Sequence, residues 1–258
     1  MSSQPLSTFT VDSLAVEIYP DKVALSQAAA DFAAAHIRAA IAERGSARVI
    51  FATGASQYDF LAALCAAPDI DWSLVTAFHL DEYVGISADH PASFRRYLQE
   101  RLFSRLPFAA VHLLTGDAPD PAAECRRYAS LLAEAPIDIA CVGIGENGHL
   151  AFNDPPADFY TTAAVHVVEL DDACRQQQVG EGHFPDLAAV PPQALSMTIP
   201  AILDAKVISC VVPDARKAAA VHCTLQGPID PACPASAMRT HPRCRLYLDS
   251  ASAGQLSQ

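Results

Sequence analysis

The sequence predicts an α/β fold. The expected architecture is a single domain over residues 1–258, with a mostly parallel open sheet and helices on both faces, a modified Rossmann-like arrangement. Three observations predict it. Short apolar runs alternate with helical segments from residue 22 onward. Several of those runs are apolar at successive positions, as strands buried on both faces are. No repeat or low-complexity linker divides the 258 residues, a length suited to one large domain.

Each element has its own signal. Residues 22–43 are Ala-rich with apolar positions three and four apart, which predicts a helix. ARVIFATG (47–54) reads as a buried strand running into a turn. SQYDFLAALCAA (56–67) reads as a helix with Ser56 as N-cap. LVTAFHLDEY (74–83) is a second strand with a polar end, and PASFRRYLQERLF (91–103) a helix after Pro91. PAAECRRYASLLAEA (121–135) is a further helix, and IDIACVGIG (137–145) a third buried strand. AAVHVVEL (163–170) alternates loosely, as a strand does. AKVISCVVP (205–213) is a strand, DARKAAAVHCTLQG (214–227) a helix ending at Gly227, and CRLYLD (244–249) a last strand. Residues 180–193 form the longest irregular stretch, expected at the surface or as a lid.

Composition removes several function classes. The net charge of −12 argues against sequence-independent nucleic-acid binding, which needs a basic face. It also means that an anionic substrate must be held by local donors against the overall field. No apolar run reaches the ~18 residues of a membrane helix, and the first residues lack a signal-peptide pattern. The eight cysteines form no C-x-x-C pair, so they are expected as free thiols in a cytoplasmic protein.

Ligands of open parallel sheets bind beyond the carboxyl ends of the strands, and three such ends are polar here. In FATGASQ, Thr53, Gly54, Ala55 and Ser56 lead into a helix whose free N–H groups suit a phosphate. Small polar turns before helices are also common, and this one lacks the P-loop lysine. In FHLDEYVG, Asp81 and Glu82 are either a solvated pair or, if partly buried, the source of a general base. In GIGENGHLAFNDPP, His149 sits among glycines with Asp154 available to orient it and fix its tautomer. The glycines let backbone approach a ligand closely. No metal site is expected, because His79 and His149 lack a third ligand at suitable spacing.

These segments together resemble the glucosamine-6-phosphate deaminase family, whose relatives include the 6-phosphogluconolactonases. The resemblance runs from about residue 20 to 250 and rests on FATGASQ, FHLDEYVGI, HPASFRRYL, GIGENGHLAFNDP, ALSMTIPAILDAK, PDARKAAAVHCTLQG and PASAMRTHP. It implies an amino sugar 6-phosphate as substrate, with no cofactor and no metal. It implies ring opening by His149, with Asn147 and Asp154 holding that histidine, and C2 proton transfer by Asp81. The phosphate would sit on Thr53–Ser56 with Lys217 as a point charge. The products would be fructose 6-phosphate and ammonia.

The chain departs from the family pattern at several places. Asp154 stands where the family has Glu, and Gln57 where it has Pro. Gly180 falls where better-known members carry a phosphate-binding Arg, and Arg175 is the candidate substitute. No Lys or Arg lies between Pro155 and Cys174, so activator allostery of the family's kind is not expected. Three alternatives stay open: a galactosamine-6-phosphate deaminase/isomerase, a 6-phosphogluconolactonase, and a sugar-phosphate-binding regulator without turnover. Neither a nucleic acid nor a membrane is an expected partner. The resemblance leaves the oligomeric state open, a homo-oligomer included.

Overall fold

The computed structural model describes residues 4–180, 182 and 184–257. The strands are β1 (Ser7–Val11), β2 (Leu14–Tyr19), β3 (Ala47–Phe51), β4 (Val75–His79), β5 (Asp81–Tyr83), β6 (Ala110–Val111), β7 (Ile139–Val142), β8 (Val165–Glu169), β9 (Gln193–Met197), β10 (Ile208–Val212) and β11 (Cys244–Asp249). The helices are α1 (Lys22–Arg44), α2 (Tyr58–Cys65), α3 (Phe94–Leu98), α4 (Pro121–Ala133), α5 (Asp172–Gly180), α6 (Ile199–Leu203) and α7 (Ala218–Gln226).

An eight-stranded sheet runs β1-β2-β11-β10-β7-β3-β4-β6. Only β1 pairs antiparallel, as a hairpin with β2. From β3 onward the spatial order is β6-β4-β3-β7-β10-β11. The chain works outward from β3 through β4 to β6, then returns to the other side of β3. That reversal is the switch point of a doubly wound sheet, and it opens a crevice beyond β3 and β7.

Successive strand residues face opposite cores. Val49 and Phe51 pack with α1 and α2, whose Leu25, Ile37, Phe60 and Leu64 are buried on that face. Ile50, Phe78 and Leu246 face the other way, against Tyr128 of α4, Ile202 of α6 and Val221 of α7. Helices therefore cover both faces, as the apolar runs predicted. α1 starts where the Asp21 side chain accepts from Ala24 N at 2.9 Å and ends at Gly45, whose φ of 77° allows its N–H to reach Ile41 O.

Three expectations need correction, and one expected strand forms in a second sheet. The 74–83 strand breaks after His79: Leu80 O accepts from Met197 N, and β5 joins a separate antiparallel sheet of order β5-β9-β8. The predicted strand 163–170 forms, as β8, but in this second sheet. Ser56 is no N-cap; it lies inside a tight 3-10 turn, Ala55–Gln57, before α2. The helix over 91–103 is two pieces, α3 capped by Ser93 and a wider π-type turn, Gln99–Phe103. The hairpin over 7–19 and α5 were not predicted. Of the irregular stretch 180–193, residues 181 and 183 lie outside the described residues. Among the described residues no helix is long and apolar enough to cross a membrane.

Candidate active site

One cavity lies beyond the carboxyl ends of β3, β4, β7 and β10, at the switch point. Its floor is the turn after β3. Gly54 has φ 98°, a conformation closed to most side chains, and its carbonyl is held from two sides. Gln57 N reaches it at 3.0 Å and the Tyr97 hydroxyl at 2.9 Å. Gln57 is buried, and its amide contacts Ser56 Oγ at 3.3 Å and Val211 O at 3.4 Å. It ties the turn to β10. Gly143 leaves room for it, since a Cβ there would lie 2.8 Å from Gln57 Nε2.

The turn after β10 supplies the cations. Asp214 adopts φ 78°, and its N–H is held by the Asp249 carboxylate at the end of β11. A non-glycine residue there carries strain of about 1–3 kcal/mol. The 3-10 turn Ala215–Lys217 follows at once and sets Arg216 and Lys217 against the cavity.

The turn after β7 supplies His149. Asn147 Oδ1 accepts from His149 N at 3.1 Å, and Asn147 Nδ2 donates to Asp154 Oδ1 at 2.7 Å. His149 Nδ1 lies 3.0 Å from the same oxygen. Burial pushes the Asp154 carboxyl up, but the hydrogen bonds from His149 and Asn147 and the His149 charge outweigh it and hold it at about 2. An ionised carboxylate only accepts, so Nδ1 carries the proton and Nε2 is the nitrogen left for exchange. Gly145 is required sterically: a Cβ there would lie 2.2 Å from His149 Nε2. Buried Asn153 anchors the loop by donating to Leu150 O and Met197 O, both at 2.7 Å.

Asp81 enters where the chain leaves the large sheet for the small one. It is 8 % exposed, and among the described residues its carboxylate accepts no hydrogen bond. Burial, then the neighbouring Glu82 charge, push it up to about 8. Glu82 has a different role. It is fully buried and accepts from Ser93 Oγ, from the N–H groups of Phe94 and Arg95, and from Arg95 Nε. The two acids are therefore not a pair: Glu82 braces α3, and only Asp81 faces the cavity. His79 stays outside it; burial and Arg95 lower it to about 3, and its Nε2 accepts from Leu114 N.

The structure brings Thr53, Gly54, Ala55, Ser56, Asp81, His149 and Lys217 to one cavity, with Asn147 and Asp154 bonded behind the histidine. Arg175 is a correction, because it does not line the cavity. Its guanidinium donates to Leu187 O at 2.7 Å and Val190 O at 3.3 Å, and it pairs with Asp172. It satisfies carbonyls of the stretch before β9 rather than a ligand. Arg216 and Gln178 line the cavity and were missed. Arg216 stood beside Lys217 in plain view. Gln178 lay on α5, read as the approach to a loop; its Oε1 accepts from the Tyr83 hydroxyl at 2.5 Å. Among the described residues no group of three or more His, Cys, Asp or Glu is placed to hold a metal ion.

A family model described as glucosamine-6-phosphate isomerases/6-phosphogluconolactonase matches residues 20–246. The chain belongs to this family. A curated relative from Listeria innocua, named glucosamine-6-phosphate deaminase, is 40% identical over 205 residues, 80% of this chain and 86% of its own. One of the same name from Streptococcus pneumoniae is 36% identical over 214 residues, 83% of this chain and 89% of its own. A solved structure of a monomeric glucosamine-6-phosphate deaminase superposes with a TM-score of 0.86 at 33% identity, covering 93% of this chain and 99% of that one. A family fold is also shared with the 6-phosphogluconolactonase from Trypanosoma brucei, at TM-score 0.75 and 17% identity, covering 97% of this chain and 100% of that one.

Proposed function

We propose that this chain is a glucosamine-6-phosphate deaminase, converting glucosamine 6-phosphate and water to fructose 6-phosphate and ammonia. The observation that carries the reading is a buried carboxyl near neutrality, Asp81, facing the same cavity as an imidazole whose other nitrogen is fixed by Asp154. The Thr53–Ser56 turn and Lys217 hold the phosphate. His149 Nε2 moves the proton between the ring oxygen and O1 hydroxyl as the ring opens. Ionised Asp81 takes the C2 proton of the open chain and returns it at C1. The C2 imine then takes up water and releases ammonia.

The relatives' shared name and the 33% identity to a solved deaminase support this substrate over a lactone. A lactonase has no use for a C2 base, whereas buried Asp81 ionises as pH rises through about 8, so it can give and take a proton there. Among the described residues the cysteines form no disulfide, which agrees with a reducing, cytoplasmic setting. The experiment is release of ammonia and fructose 6-phosphate from glucosamine 6-phosphate, run beside galactosamine 6-phosphate and 6-phosphogluconolactone. Turnover of the gluco sugar, lost in Asp81→Asn and His149→Gln, is the expected result. Lactone hydrolysis that survives Asp81→Asn would assign the chain to the other branch.

A further inference from the structure

The anion site lacks an obvious second cation. Arg175 is engaged by backbone carbonyls, so it does not serve as that cation. A sugar phosphate is close to a dianion at neutral pH, and the chain carries a net charge of −12. We infer that Arg216 is the second phosphate cation, and that it leaves Glu146 to take the phosphate.

Three observations converge on Arg216. It lines the cavity together with the Thr53–Ser56 turn and Lys217. The strained Asp214 backbone, clamped by Asp249, turns the chain so that two consecutive cations follow at the cavity wall. Among the described residues the Arg216 guanidinium makes no hydrogen bond; its contact is Glu146 Oε1 at 3.6 Å, with side chains 40% and 37% exposed. That distance is beyond a hydrogen bond, and an exposed ion pair of this kind holds its partners weakly. A phosphate offers the guanidinium fork two parallel, charge-assisted bonds in exchange. Glu146 lies three residues before His149 in the same turn. Glu146 is therefore a competitor of the phosphate for Arg216.

The inference rests on the sugar-phosphate reading of this cavity, and its test separates the two. Binding of inorganic phosphate to the full chain is measured by titration calorimetry, with Arg216→Gln, Glu146→Gln and the double variant. Arg216→Gln is expected to weaken binding by about tenfold or more. Glu146→Gln is expected to tighten it by about twofold to fivefold, and to do nothing in the Arg216→Gln background. Arg216→Lys should fall between, since it keeps the charge and loses the fork. If Arg216 merely braces the histidine turn, both single variants weaken binding together, and the inference fails. Equal tightening by Glu146→Gln with and without Arg216 would also overturn it, because the effect would then be the general field. Both side chains are half-exposed, so the variants should fold. Ammonia release by the parent chain tests the reading separately: its absence with phosphate binding intact removes the deaminase and leaves Arg216 in place.

Discussion

Asp81→Asn should cut turnover by orders of magnitude and stabilise the protein near neutral pH, and its stability relative to the parent should grow with pH. The carboxyl moves from 3.8 to about 8 on folding, through burial and the Glu82 charge. Between those values the unfolded chain is ionised at this group and the folded chain is protonated. Folding then takes up a proton, and each pH unit in the window costs about 1.4 kcal/mol of stability. The raised value means the contribution is intact below pH 3.8 and lost as pH rises through about 8. At pH 7 the accumulated cost is on the order of 4 kcal/mol, and at pH 4 it is near zero.

Asparagine keeps the shape and cannot ionise, so it removes this slope. Its amide adds an offset of about 1–2 kcal/mol for imperfect pairing, and that offset does not vary with pH. Denaturant unfolding of parent and variant at pH 4.5, 6 and 7.5 gives the difference directly. The variant should gain on its parent at each step, while turnover falls by about 10²–10⁴ through loss of the base. Parallel stability curves across that range would refute the argument, whatever happened to activity. They would mean that water reaches Asp81 and that its environment does not raise it.

Further outcomes follow from the same geometry. In the parent enzyme kcat/KM should rise with pH and level off above about 8, as Asp81 ionises in the free protein; a profile flat from pH 6 to 9 would exclude it as the base. Gly145→Ala places a Cβ 2.2 Å from His149 Nε2, so it should expel the imidazole and lower kcat by about 100-fold or more with little change in Tm. Asp154→Asn removes a carboxylate held at about 2, whose contribution is present above pH 3.8 and lost as pH falls toward 2. It should cost about 2 kcal/mol at pH 7 by denaturant unfolding, and Asp154→Glu should restore much of the lost turnover. Gly116→Ala would put a Cβ 2.2 Å from Tyr83 O, and thermal unfolding should show a loss of about 1–3 kcal/mol.

The sheet was legible because its strands are apolar at successive positions: both neighbours of Ile50 are buried, as are both neighbours of Ala140. That pattern belongs to strands covered on two faces, and the strand order then predicts where ligands go. Asp81–Tyr83 was not legible as a separate strand, because it continues an apolar run and its departure depends on pairing with residues 194–196. The β1–β2 hairpin escaped notice because β1 is exposed along most of its length, so burial patterning is faint. α5 has few apolar residues to set a helical period; buried Cys174 and Gln178 hold it in place, one small and one polar. The division of labour between Asp81 and Glu82 was hidden for a similar reason. Glu82 is identified by the N–H groups at the start of α3, which only the folded chain brings to it.

Two carboxylates of similar intrinsic acidity end up on opposite sides of neutrality, and the backbone decides which is which. Asp154 follows a turn that bends back on itself, so Asn147 and His149 both donate to one of its oxygens. Asp81 sits where one sheet hands over to another. The nearby N–H groups are committed to strand pairing or to Glu82, and the adjacent cation, Arg95, is bound by Glu82, Asp117 and Ile86 O. Burial raises Asp81 first, and the Glu82 charge beside it raises it further. In the proposed mechanism the first acid is a standing charge that fixes a tautomer, and the second is the base that gives and takes a proton. Exchanging their surroundings rather than their identities would exchange those tasks. For that reason Glu82→Gln, which touches no substrate, should move the rising limb of the rate profile toward lower pH.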